Sequence, residues 1–326
     1  MIRKASLLIL SMSLLLSCSK EQKTVGEQQP QETEQLVAAK IVRLDTALTG
    51  YSALSDEARK ELLRRPELAL LMQTMGDTLT EASLAAFAQS RVVGMFGTAA
   101  KDVFPGEIEA VTAAGNGVLN GLGVKIPELV GVVLPYQQSI IFCGDSVAFV
   151  SLNHWLGADH PAYNGFAEYV KRTKTPAHMP IDIAEALIAN TFPFSNEQGT
   201  LLSRLIYEGA LMQAITQTTG ADVKTVLGWT DDEFAAAQKG ERYSWETLVR
   251  RKMLYDKDVD LQERLVRPAP NSGVISPDLP GSMGRFIGYQ LVQSLLKNES
   301  SLTLRNIFEK KLYLQQETLS QSRYAP

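Results

Sequence analysis

Apolar residues along this chain fall into blocks of different period. An unbroken apolar run from Ala5 to Leu16 follows the charged pair Arg3-Lys4. Residues 18–35 then carry almost no apolar side chain except Val25, a composition that predicts a flexible tether. From Leu36 the pattern changes. Leu36, Val37, Ile41, Leu44 and Leu48 approximate one helical face, which predicts that the folded part opens on a helix. Residues 56–100 continue with helix-forming composition, broken at Pro66 and Gly76.

The middle of the chain has short β-branched and aromatic runs instead: Leu129 to Leu134, Ser139 to Phe142, and Val147 to Val150. Cys143-Gly144-Asp145 supplies a turn between the last two, so they read as a hairpin. After Asn153 the pattern is helical again. Gly199–Thr216 is apolar almost all round, which predicts a buried central helix. Thr230-Asp231-Asp232-Glu233 has the spacing of a capping box and opens another helix. Helices over Ser244–Tyr255, Arg285–Leu296 and Leu302–Thr318 complete the expectation. It is a single helix-rich α+β domain over residues 36–326 with a small sheet and an edge hairpin.

Composition adds the compartment. The chain has 326 residues, 45% hydrophobic and 21% charged, as in a folded globular protein. A charged start and a short apolar run over residues 1–17 read as a secretory signal, too short to persist as a spanning helix. Leu15-Leu16-Ser17-Cys18 resembles a bacterial lipobox, which implies cleavage before Cys18 and acylation of that cysteine, palmitate included. Each buried methylene of such an anchor adds about 0.8 kcal/mol. Cleavage removes Arg3 and Lys4, so 30 basic residues face 36 acidic ones and the net charge falls from −4 to −6. That excludes nucleic acid as the expected partner and argues against tight electrostatic docking on anionic lipid. Cys143 is then the one remaining thiol, expected to be buried between strands.

Few residues could carry chemistry. His154-Trp155-Leu156-Gly157-Ala158-Asp159-His160-Pro161 is the densest polar cluster, but its histidines lack the four-residue spacing that puts two imidazoles on one helix face. His160 reads as a turn residue and His154 as a half-buried strand end. Glu208 lies within the apolar helix, where a carboxylate must be paired, hydrated or functional. It is either an ion pair with Arg204, four residues earlier, or the floor of a cleft. Arg285 follows the turn-rich Pro280-Gly281-Ser282-Met283-Gly284, with Tyr289 one helical turn on. Gly284 and Gly288 are four apart, a spacing that predicts close packing against another helix. Tyr163, Trp155, Trp245 and Tyr289 either line a small-molecule pocket or belong to the core. The chain has no Gly-rich phosphate loop, no G-x-S-x-G elbow and no dinucleotide fingerprint.

The order of segments resembles the GldB family of gliding-motility lipoproteins of the Gram-negative envelope, over nearly the whole chain after the signal. The pieces are Lys40 to Asp45, Val150 to Gly157, Asp159 to Tyr163, Pro180 to Ala184, the central helix, Trp245, Leu254-Tyr255, Pro280 to Val292 and Arg323 to Pro326. That family in turn looks like zincin-type metallopeptidases in layout: an edge hairpin, a central helix, then further helices. Their helix carries H-E-x-x-H; aligned on the glutamate, this chain offers Tyr207-Glu208-Gly209-Ala210-Leu211, without either histidine. Glu241 or Glu246 would be the later carboxylates. The resemblance implies a non-catalytic envelope lipoprotein, acting in gliding or related secretion and assembly through protein or peptide binding. Its cofactors would be none beyond the lipid on Cys18, its partners envelope proteins or peptides, and its site the outer membrane with the domain in the periplasm. The alternative is a peptidase or cell-wall hydrolase with Glu208 as general base, served by a cleft of His154, His160, Tyr163, Tyr207, Arg285 and Tyr289.

Overall fold

Val130, Val132 and Phe149 pack into one hydrophobic core while Leu129, Ala148 and Val150 pack into another, so the sheet that carries them is covered on both faces. Such strands have no polar face to show, which is why their runs are nearly continuously apolar. The computed structural model describes residues 36–326, which form one compact unit. The signal peptide, Cys18 and the tether lie outside the described residues.

Five strands make a mixed sheet: β1 (Ala39–Arg43), β2 (Ile108–Val111), β3 (Glu128–Val132), β4 (Ile140–Cys143) and β5 (Val147–Ser151), in the order β2-β1-β3-β5-β4. β1, β3 and β5 run parallel, with Ile41 opposite Leu129 and Val130 opposite Phe149. The edge strands β2 and β4 are antiparallel to their neighbours. The expected hairpin is β4–β5, turning through Gly144 at φ 61°. At Gly131 a side chain would collide with Ile41, so the centre of the sheet is as close as a glycine permits.

Four expectations are corrected. The helix opened at Thr230 and the one expected over Ser244–Tyr255 are a single helix, Asp231–Arg250, which stops before Lys252 takes φ 57° and leaves a 3-10 turn at Met253–Tyr255. The folded part opens on β1, not on a helix; a short helix, Leu44–Thr49, begins only afterwards. The β-branched pair Ile41-Val42 sits in the sheet, and the helical spacing of Leu36 to Leu48 arose from two elements read as one. The predicted Leu302–Thr318 helix is three pieces, Leu304–Glu309, a 3-10 turn at Leu312–Leu314, and Glu317–Ser322, separated where Lys311 takes φ 48°. Cys143 ends the edge strand half-buried, its sulfur 3.3 Å from the Thr74 hydroxyl, rather than buried between strands.

Helices Asp56–Leu63, Pro66–Thr74 and Glu81–Ala88 cover one face of the sheet; Pro66 opens its helix, where a missing N–H costs nothing. The other face carries Met179–Thr191 and the central helix Leu201–Thr219. Thr200 caps the central helix by accepting from Ser203 N, and Gly220 ends it at φ 71°. Met283–Asn298 crosses it at the glycines: a Cβ on Gly209 would overlap the Gly288 carbonyl, and one on Gly288 the Leu205 carbonyl. The predicted close approach is therefore made backbone to backbone. Among the described residues no helix is long and apolar enough to cross a membrane.

Candidate functional site: a buried chain of charges

Four helices converge on Glu208. The central helix brings Arg204 and Glu208 one turn apart, so both lie on one face. Arg285 stands in the first turn of Met283–Asn298, which starts abruptly because Ser282 takes φ 63° and Ser272 Oγ lies 3.4 Å from Met283 N. Glu185 comes from Met179–Thr191 and Glu263 from the helix Val259–Val266.

The charges alternate. Glu208 Oε1 lies 3.0 Å from Arg204 Nε, and its Oε2 lies 3.1 Å from Arg285 Nε. Arg285 Nη2 is 3.0 Å from Glu185, and Arg204 Nη2 is 3.4 Å from Glu263. Phe194 lies over the Arg204 guanidinium at 5.0 Å, closing one side. The N–H groups of Arg204 Nε and of Arg285 Nε and Nη2 are not aligned on an acceptor, so these contacts are Coulombic more than directional. Burial pushes the Glu208 carboxyl up, and the two arginines pull it back. Burial alone would lower Arg285, but Glu185, Glu208 and Asp182 outweigh it and hold the guanidinium charged. Both carboxylate oxygens thus face a cation.

The neighbouring positions are filled with core. The Tyr207 hydroxyl donates to the Phe192 carbonyl at 2.8 Å, and its ring packs among Phe194, Phe308 and Tyr313. Burial drives that hydroxyl far above its usual range. Leu211 is buried in the same core. Tyr207 and Leu211, which stand where the H-E-x-x-H pattern has its imidazoles, offer no metal ligand. Among the described residues no group of three or more His, Cys, Asp or Glu is placed to hold a metal ion.

None of the histidines touches Glu208; His154 follows the carboxyl end of β5. His154 Nε2 lies 3.1 Å from the Tyr136 carbonyl and so donates; its Nδ1 then accepts from Lys174 at 3.4 Å. Burial, and then Lys174, push His154 down; burial likewise lowers Lys174. His178 lies 3.4 Å from Asp182, which also accepts from Trp155 Nε1 at 2.8 Å. His160 accepts from Ala162 N at 3.3 Å as the cap of a 3-10 turn, its ring against Tyr163 and Phe96. The Tyr163 hydroxyl donates to the Asn153 carbonyl at 2.6 Å.

Of the seven cleft candidates, the structure brings Glu208 and Arg285 into contact and turns Tyr207 into the core beside them. His160 packs on Tyr163 and His154 on Trp155; neither histidine touches Glu208, though the charge of Asp182 acts on both His154 and Arg285. Tyr289 borders a hollow of about 430 Å³ with Ala221 and Phe234. Nor do the four aromatics share a pocket: Trp155 is wholly buried against Asp182, and Trp245 stands edge-on to Tyr324 at 5.1 Å. Glu241 accepts from the Tyr324 hydroxyl at 2.7 Å, and Glu246 is exposed; neither pairs with Glu208's arginines. Sequence reasoning missed Glu185, Glu263, Asp182 and Lys174. Only the four-residue spacing of Glu263 and Arg267 left a trace of them.

A family model described as "Gliding motility protein GldB" matches residues 26–326. No curated protein and no solved structure matches the chain.

Proposed function

This chain belongs to the GldB gliding-motility family, and from that premise we propose that it is a non-catalytic lipoprotein that binds a protein or peptide of the cell envelope. Acyl chains on Cys18, palmitate among them, hold it to the outer membrane, and the domain over residues 36–326 works in the periplasm in gliding, related protein secretion or envelope assembly.

One observation carries the non-catalytic reading: both oxygens of Glu208 face arginines, and the flanking Tyr207 and Leu211 are packed in the core. A zincin-like layout is supported by an antiparallel edge hairpin that precedes the central helix, and by the position of Glu208 within that helix. The edge strand β4 supports peptide binding. Its residues are half-buried, and a hollow of about 380 Å³ lies beside it, lined by Phe142, Asp145, Leu187 and Asn190. An extended peptide could add to such an edge through main-chain hydrogen bonds.

The experiment is metal analysis of protein purified without chelator, with an assay of peptide and peptidoglycan hydrolysis and complementation by Glu208→Gln. Substoichiometric zinc, no cleavage and a working Glu208→Gln variant are expected. Stoichiometric zinc, or cleavage abolished by Glu208→Gln, overturns the reading and restores the hydrolase. Cys18→Ser tests the anchor separately: the variant should lose sedimentation with outer membranes.

A further inference from the structure

Lys174 is a half-buried amine that holds no carboxylate. Lys40, Lys171 and Lys224 pair with Glu107, Glu168 and Asp231 at 2.6, 2.8 and 2.5 Å, whereas Lys174 forms no such contact among the described residues. Its Nζ instead lies 3.4 Å from His154 Nδ1. The pair is held in place from both sides. His154 follows the carboxyl end of β5, and its Nε2 lies 3.1 Å from the carbonyl of Tyr136, four residues beyond the end of β3. That bond fixes the tautomer and turns the Nδ1 lone pair to the lysine. Gly157 N donates to the Lys174 carbonyl at 2.9 Å, which straps the two segments together. Asp182 is engaged by Trp155 Nε1 at 2.8 Å and by His178 Nε2 at 3.4 Å. Burial lowers Lys174 below its ordinary value, and the more distant charge of Asp182 opposes that fall.

We infer that Lys174 is a nucleophilic amine, with His154 as its base, that captures a small aldehyde as an imine. A nucleophile, a base in contact with it and a group that orients the base stand in series: Lys174 Nζ, the His154 ring and the Tyr136 carbonyl. One proton of the ammonium passes to His154 Nδ1 and frees the Nζ lone pair. That pair attacks the aldehyde carbon, and the carbonyl oxygen takes up the proton that the nitrogen then releases, giving a carbinolamine. His154 returns its proton to the new hydroxyl, which leaves as water while the C=N bond closes on a protonated imine. Nothing is oxidised or reduced, and the base ends as it began. An aldehyde is the class this pair can serve alone, because the reaction needs only an amine, a base and the release of water. Half-burial of both Lys174 and His154 limits its size. Position agrees. In open sheets with parallel strands, ligands gather outside the strands' carboxyl ends, and the segments after β3 and β5 supply Tyr136 and His154. Capture is stoichiometric rather than a turnover, and it is independent of the protein-binding reading.

The test is reaction of the detergent-purified full chain with benzaldehyde and cyanoborohydride, which reduces an imine to a stable secondary amine, read lysine by lysine by peptide mass spectrometry. Lys174 should be trapped at least about tenfold faster than Lys171, the gain in free amine that one unit of depression gives. Lys171 is the control because it lies in the same stretch, is half-buried too and is paired with Glu168. His154→Gln can still donate to Tyr136 but has no basic lone pair, so it should slow trapping at Lys174 at least about tenfold. Asp182→Asn removes the opposing charge and should speed it. The proposal is overturned if Lys174 is trapped no faster than Lys171, or if Asp182→Asn brings no increase. Undiminished trapping in a His154→Gln chain that stays folded by circular dichroism overturns it as well.

Discussion

Glu208 and Arg285 meet at 3.1 Å between two helices that touch backbone to backbone, and each has a second partner of opposite charge. Arg285 also holds Glu185, and Glu208 also holds Arg204, which holds Glu263. The two members of the pair are therefore unequal. Removing Arg285 leaves the buried Glu208 with one cation and strips Glu185 of its own. Removing the Glu208 charge leaves each arginine with a carboxylate. Arg285→Met should cost about 3–5 kcal/mol in urea unfolding, as expected for breaking a buried pair. Glu208→Gln should cost clearly less, and adding it to Arg285→Met should recover part of the loss. If Glu208→Gln is the more damaging change, the alternating scheme is wrong.

The glycine contact beside that pair gives a steric prediction. Alanine at Gly209 or Gly288 would put a methyl into a backbone carbonyl, which a side-chain shift cannot relieve. Either substitution should lower stability by about 3 kcal/mol, at the upper end of overpacking costs. Gly94, inside the helix Arg91–Val103, has nothing within 4 Å of its added Cβ and serves as the control. Gly94→Ala should raise stability by about 0.5–1 kcal/mol, because it removes chain entropy without strain. Equal melting temperatures for Gly94→Ala and Gly209→Ala would contradict the packing.

What the sequence made legible follows how locally each feature is encoded. The central helix, the β4–β5 hairpin, the Thr230 cap and the glycine approach each rest on residues within a few positions of one another, and each is in the structure. β1 was lost because Leu44 and Leu48, on the helix that follows, complete a helical period with Ile41. β2 has four residues, too few to announce a period. Glu208 with Arg204 was legible as a four-residue pair, but Glu185 and Glu263 reach the same cluster from other helices, and no spacing encodes that. The grouping of His154 and His160 with Glu208 failed for the same reason. The end of β5 directs the histidines to Tyr136, Lys174 and their own turn.

The carboxyl end is held by polar contacts and by the packing of Leu319 and Tyr324 on the core. Tyr324 donates to Glu241 at 2.7 Å and lies edge-on to Trp245, while Ser294 Oγ and Asn298 Nδ2 reach the Ser322 carbonyl at 2.7 and 2.8 Å. Tyr324→Phe keeps the ring contact and loses the hydrogen bond, leaving Glu241 to water and Gln290. It should cost about 1 kcal/mol, whereas Tyr324→Ala should cost more and speed amide exchange in Glu317–Ser322. Wild-type stability in both variants would show the tail to be undocked.

His154 should make the fold acid-sensitive. Its Nε2–H is committed to the Tyr136 carbonyl and its Nδ1 lone pair to Lys174, so a second proton has to displace a cation inside a half-buried site. Burial first, and Lys174 next, hold the folded-state value below the ordinary 6.5. The sign follows: the unfolded chain takes up the proton first, so the contribution is fully present above about pH 6.5 and is lost as the pH falls towards the folded value. Each unit of depression removes about 1.4 kcal/mol once the pH lies below both values. The groups facing the ring are Lys174, the Tyr136 carbonyl, Trp155 and, from Met179–Thr191, Asp182, whose charge works the other way. Lys174→Met should therefore raise the His154 value in an NMR titration and flatten the fall in stability between about pH 7 and 5. His154→Gln, which can still donate to Tyr136, should flatten it as well. If unfolding free energies of wild type and both variants fall in parallel over that range, the acid sensitivity belongs to another group.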